Sequence, residues 1–140
     1  MKNSFWISAL LGLLPSLCIG QSFEQADQPA VHDVALGNWL LHTIDEHSPY
    51  GEPTLMITHD NVYGHTGCNR LFTAIRSFEA GQWDIHALNM TEKLCTAALS
   101  NQEEKLILGF EANPNITINA AKNVLTFSTH QTTLIYHRVN

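Results

Sequence analysis

GHTGCNRLF, Gly64 to Phe72, decides how this chain is read. Two glycines bracket a His-Thr pair, and Cys68 and Asn69 follow side by side before an apolar run resumes. A thiol and an amide at one tight bend suit three roles: a catalytic nucleophile, a metal ligand, or half of a disulfide. Compartment separates them, because exported domains oxidise their cysteines in pairs whereas a working thiolate must stay reduced.

The first twenty residues, MKNSFWISALLGLLPSLCIG, have the parts of a secretory signal. Lys2 supplies the positive start and Phe5 to Leu14 the apolar stretch, which falls short of the roughly 20 residues needed to span a bilayer. The expected cut lies ahead of Gln21, which gives a periplasmic or secreted chain with no integral membrane segment. Lipid attachment at Cys18 is the alternative, disfavoured by Leu17 where a small residue normally precedes a lipidated cysteine. With residues 1–20 removed, Cys68 and Cys95 are the two cysteines left.

Seven basic and thirteen acidic residues give a net charge of −6, and loss of Lys2 takes it to −7. Lys and Arg are scattered along the chain, whereas a nucleic-acid groove or an anionic-membrane patch needs them clustered. No nucleic-acid partner is expected.

Residues 21–36 read as a polar, flexible lead-in, and residues 37–140 as one domain with enough chain for a core. NWLLHTI, TLMIT, NVYGH and RLFTAIRSF carry strand signals. In RLFTAIRSF, Leu71, Thr73 and Ile75 face one way and Phe72, Ala74 and Arg76 the other. Ala80-Gly81 turns the chain into QWDIHALNM. Ser100-Asn-Gln-Glu103 fits a capping box that starts a helix carrying Leu106, Ile107 and Phe110, with Gly109 near its end. NITIN, NVLTFS and TTLIYHRV then return to strand. The expected fold class is α+β: a single compact domain, mainly a curved antiparallel β-sheet with one main helix packed on it. Trp39, Trp83, Phe72, Phe78, Phe110 and Phe127 are assigned to its core.

Eight histidines are present, but no HxH, HxxxH, HExxH or CxxC pair, so the usual zinc spacings are missing and no metal or cofactor is expected. His65 three residues before Cys68 permits a thiol-enzyme reading, which demands a free thiol of low pKa. Against it stands the pairing of Cys68 with Cys95. In the chain-entropy picture, closing a loop of about 28 residues stabilises by about 3.5 kcal/mol. On that reading Gly64 and Gly67 take unusual dihedrals at the turn and Asn69 holds it by side-chain-to-backbone bonds. Asn89 and Asn115 head N-x-T acceptor patterns, which matter only in a eukaryotic secretory pathway. The polar loop Asp45–Pro53, DEHSPYGEP, is a contact-loop candidate.

NWLL, PTLMIT, NVYGHTGCNRLF, LNMTEKLC and EEKLILGF together resemble the META domain family over about residues 37–139. GCNRLF with TEKLC downstream is the specific part, although Lys93-Leu94 departs from the methionine and small residue common before that cysteine. The resemblance implies a compact α+β domain and a cell-envelope role tied to heat response and novobiocin-type drug resistance. It carries over no catalytic residue, so a noncatalytic protein is expected, with an unidentified envelope protein or ligand as its partner. The other reading is a secreted binding or inhibitor module.

Overall fold

Arg70–Glu79, the longest strand, closes the sheet on itself. In the computed structural model, which describes residues 30–140, its first half pairs with Asn61–His65 and its second half with Gln82–Ile85. The expected signal, Cys18 and the lead-in up to residue 29 lie outside the described residues.

In chain order the elements are α1 (Val31–Ala35), β1 (Gly37–Ile44), β2 (Thr54–Ile57), β3 (Asn61–His65), β4 (Arg70–Glu79), β5 (Gln82–Ile85) and β6 (Asn89–Met90). They continue with α2 (Ala97–Glu111), β7 (Asn115–Ile118), β8 (Val124–Ser128) and β9 (Thr133–Val139). Neighbours run β3-β2-β1-β9-β8-β7-β5-β4, and β3 also pairs with β4. Eight antiparallel strands therefore form a closed barrel, more specific than the curved sheet expected. QWDIHALNM is broken into β5 and β6, both laid along β4.

Two irregularities in register let the long strands bend into this closure, one at His42 against β9 and one at Arg76 against β5. The narrowest seam joins β5 to β7 through the single pair Gln82↔Asn115, helped by the Ile116 amide bonding Gly81 O at 2.6 Å. Ala80 and Gly81 both have positive φ, 51° and 74°, as the tight turn into β5 requires.

Strict alternation places Trp39, Leu41, Leu55, Ile57, Val62, Leu71, Leu125, Phe127, Leu134 and Tyr136 inside the barrel. Trp83, Phe110, Phe127 and Tyr136 form one aromatic cluster, with Trp83 and Phe127 ring centres 4.8 Å apart. Burial pushes the Tyr136 phenol well above its ordinary pKa, so it stays neutral. Phe72 departs from its core assignment: it is 38% exposed and faces outward, because Leu71 and Thr73 take the inward positions of β4.

A helix lies across each end of the barrel. The end of the expected lead-in is not loose chain: Val31–Ala35 form α1, with Ala35 fully buried and Val31 and Leu36 packed on the core. Arg138 holds α1 down, giving its guanidinium N–H groups to the carbonyls of Val34 (2.6 Å) and Leu36 (2.8 Å). The same guanidinium lies over the Trp39 ring, whose Nε1–H bonds the Ala35 carbonyl at 2.8 Å.

The cap of helix α2 lies four residues before the expected Ser100. Thr96 is the N-cap, its hydroxyl accepting the Leu99 amide, so Glu103 is released from capping for other work. Gln102, Leu106, Gly109 and Phe110 form the buried face. Gly109 lies within the helix, and its reason is packing: a Cβ there would overlap the Leu134 side chain. Ala ordinarily improves a helix over Gly by about 1 kcal/mol. Here Gly109→Ala is expected instead to lower unfolding free energy by about 1–2 kcal/mol in urea titration, and trimming its neighbour in Gly109→Ala/Leu134→Val should recover part of that loss.

Candidate functional site

The GHTGCN turn joins β3 to β4 and faces the N-terminal half of α2. Thr66 organises it, which the sequence reading gave to Asn69. The Thr66 hydroxyl accepts the amides of Cys68 (3.3 Å) and Asn69 (2.9 Å) and donates to Glu103 Oε2 at 2.7 Å. His65 Nδ1 accepts the Gly67 amide at 3.1 Å. Only Gly67 of the two motif glycines has a positive φ, +98°. A side chain there would also meet Tyr50 O and Gln102 Nε2. Gly64 has ordinary strand dihedrals and serves close approach, since a Cβ would lie 2.7 Å from Thr54 O and 3.1 Å from Leu71 Cγ.

Asn69 is 2% exposed and reaches away from its own turn. Its NH2 group donates to both Glu103 oxygens (3.2 and 3.0 Å) and lies 3.4 Å from Cys95 Sγ. Its Oδ1 accepts the Thr91 hydroxyl (3.0 Å) and the Lys93 amide (2.8 Å). One carboxamide thus joins the turn, the 91–95 segment and α2. Cys68 and Cys95 are bonded across the same junction, with Cα atoms 6.1 Å apart. Cys68 is therefore not a free thiol in this structure, and His65 is engaged with a backbone amide.

Gln102, unnoticed in the sequence, is the second connector. Its Oε1 accepts the Tyr50 amide at 2.7 Å, while Nε2 donates to Tyr50 O (3.0 Å) and Thr66 O (2.8 Å). Its spacing four residues before Leu106 placed it on the buried face, but polarity disguised it. Every buried side-chain nitrogen and oxygen among the described residues has a hydrogen-bond partner. The motif atoms are spent on each other and on backbone.

The contact-loop candidate Asp45–Pro53 lies beside this junction. Asp45 and Glu46 have φ of 48° and 67°, forming a two-residue turn closed by the Ile44–His47 bridge. Desolvation pushes the Asp45 carboxyl up, but the Thr133 amide (2.8 Å), Lys105 ammonium (2.9 Å) and Thr132 hydroxyl (3.0 Å) outweigh it and hold its pKa below the ordinary value. The loop and α2 flank an open pocket of about 400 Å³ lined by Ile44, His47, Ser48, Tyr50, Asn101 and Lys105. Tyr50 is 61% exposed although its backbone is fixed by Gln102. Among the described residues no three His, Cys, Asp or Glu side chains converge to hold a metal, and no helix is long and apolar enough to cross a membrane.

Asn69→Asp keeps the shape but replaces a donor with an oxygen facing Glu103. It is expected to cost about 2–4 kcal/mol at pH 7, and the exchange of roles in Asn69→Asp/Glu103→Gln should return more than half of that in urea unfolding. Asp45 sets a pH dependence of opposite visibility. Its lowered pKa makes a contribution that is complete above about pH 4 and lost as pH falls through the folded value. Stability measured from pH 7 down to pH 2 should therefore drop less steeply in Asp45→Asn than in the parent.

Two solved structures share the fold. One, determined by NMR, is 18% identical with a TM-score of 0.62, covering 77% of this chain and 90% of that one. The other, an NMR structure of a protein from Burkholderia xenovorans, is 14% identical with a TM-score of 0.64, covering 99% of both chains. No curated protein matches the sequence. The META domain matches residues 32–140, which takes in all of α1 but Val31, the GHTGCN turn, its Cys95 partner and α2. This chain belongs to the META domain family.

Proposed function

We propose that this is an exported, noncatalytic META-domain protein of the cell envelope that supports the envelope under heat or novobiocin-type drug stress. The observation that carries the noncatalytic part is the state of the motif itself. Thr66, Asn69, Gln102 and Glu103 direct their polar atoms at one another and at backbone, and the two cysteines are bonded together. Groups used in this way build a rigid support rather than attack a substrate. Export is supported by the amino-terminal signal pattern and by a disulfide of the kind that lasts in oxidising compartments. The stress role rests on the family.

A second reading, a binding or inhibitor module, is favoured by one feature. The Asp45–Pro53 loop presents Tyr50 at the rim of this pocket on a backbone that Gln102 and Asp45 hold fixed. A side chain displayed on an immobilised backbone loses little freedom on binding.

Intact mass of protein taken from its native compartment should show a start at Gln21 and no alkylation before reduction, then two alkylated cysteines after it. A mass that retains residues 1–20 unmodified, or free thiols, contradicts the exported, stapled reading. A strain lacking the protein is expected to lose viability on heating and at novobiocin levels the parent tolerates. Restoration by Tyr50→Ala as fully as by the parent chain would remove the Tyr50 loop from the function.

A further inference from the structure

Strand β6 lies outside the ring of eight and keeps one edge uncovered. It pairs with β4 alone, Asn89 opposite Phe72 and Met90 opposite Leu71, and just beyond it the Thr91 amide donates to Arg70 O at 3.1 Å. In an antiparallel pair, successive residues turn their backbone groups to opposite edges. Thr91 turns toward β4, so Met90 turns its N–H and C=O away from it, and no described residue bonds either group. Leu88, two residues earlier, turns the same way, and Glu111 Oε1 of α2 accepts its amide at 3.1 Å. A side-chain carboxylate thus stands in for a strand partner at Leu88, and the edge is open at Met90.

Between this edge and α2 runs an open groove of about 540 Å³. Glu103, Ile107 and Glu111 form its helix wall, each four residues from the next and so on one stripe of α2. At helical spacing that stripe is opposite Asn101 and Lys105, so the groove and the Tyr50 pocket lie on different sides of α2. The helix rises about 12 Å from Glu103 to Glu111, which is the length of about three or four extended residues.

Two features select what fits there. Glu92, Glu103 and Glu111 border the groove against a single cation, Lys93. Leu94, also on its border, is fully exposed, and its backbone is held on one side by the Lys93 amide bond to Asn69 and on the other by the Cys95 disulfide. A leucine displayed on fixed backbone loses little freedom when it is covered.

We propose that this groove takes an extended segment of a basic, partly apolar partner polypeptide, added as a strand along β6. Its backbone bonds the Met90 N–H and C=O, its Lys or Arg side chains face Glu92 and Glu111, and an apolar side chain covers Leu94 and Ile107. Backbone groups at strand spacing are matched by another backbone, and the carboxylates choose a cationic one. The net charge of −6 draws such a partner in from a distance. Exposed ion pairs are individually weak and screened by salt, so the contact is reversible and salt-sensitive. The proposal rests on neither export nor the Tyr50 loop.

The test uses the full chain, isotopically labelled for amide NMR, and blocked heptapeptide probes. One alternates Lys and Val, a second alternates Glu and Val, and a third is the Lys-Val probe N-methylated at every residue, which prevents strand pairing. The Lys-Val probe is expected to bind and to slow exchange of the Met90 amide about tenfold, while the other two fail to bind at the same concentration. Glu92→Lys and Leu94→Ser, both at exposed positions, should each weaken binding by about threefold or more at an unchanged urea midpoint. Equal binding of the Glu-Val or the N-methylated probe, an unprotected Met90 amide in the bound state, or no binding of the Lys-Val probe would overturn the proposal. So would a dimer in sedimentation equilibrium that Leu94→Ser dissociates, since a second copy would then fill the groove.

Discussion

A buried carboxamide has two donors and an acceptor to satisfy, and Asn69 satisfies them with two other pieces of chain. The 91–95 segment comes to its Oδ1, while Glu103 of α2 and Cys95 Sγ come to its NH2 group. Leaving such a group unpaired costs about 1–3 kcal/mol, so both pieces are required to meet the turn there. The disulfide fixes the same junction covalently, but it constrains only residues 68 and 95. The direction of α2 comes from Asn69 and Gln102 together, and that direction lays Leu106 and Phe110 over the open end of the barrel.

The two ends of the barrel are closed by different chemistry. At the α2 end, carboxamides and hydroxyls tie loops to a helix, and the Trp83 indole bonds the Phe110 carbonyl near the helix terminus at 2.9 Å. At the α1 end a single guanidinium caps a five-residue helix that could not persist alone, and stacks on Trp39 while doing so. The wall between them is hydrogen-bonded all round except for the one-pair seam at Gln82 and Asn115. Such a closed shell leaves the Tyr50 loop exposed at one end.

Strands were legible wherever one side chain in two is buried, as in NVYGH and NVLTFS, because the alternation is written in the residues themselves. What did not show was anything set by closure. Phe72 looks like core by composition, yet pairing with Tyr63 fixes it outside. The Val31–Ala35 helix is invisible because its stability comes from Arg138, more than a hundred residues away. Ser100 and Glu103 satisfy a capping pattern, but Thr96 captures the helix start and Glu103 is drawn to Thr66 and Asn69. The bonded cysteines followed from compartment and parity. Gln102 did not follow, since a polar residue at an apolar spacing is readable as a connector only once the loops it binds are in place.

The central claim is that the Asn69 and Gln102 hydrogen bonds, rather than the disulfide, hold the turn, the Asp45–Pro53 loop and α2 together. Native-state amide hydrogen exchange on Cys68→Ala/Cys95→Ala tests it most directly. The account predicts that the amides of Tyr50, Asn69 and Lys93, bonded respectively to Gln102, Thr66 and Asn69, stay protected to nearly the global unfolding free energy of that variant. Exchange of those three amides at the rates of fraying termini, with the barrel strands still protected, would show that the disulfide alone makes the junction and would contradict the account.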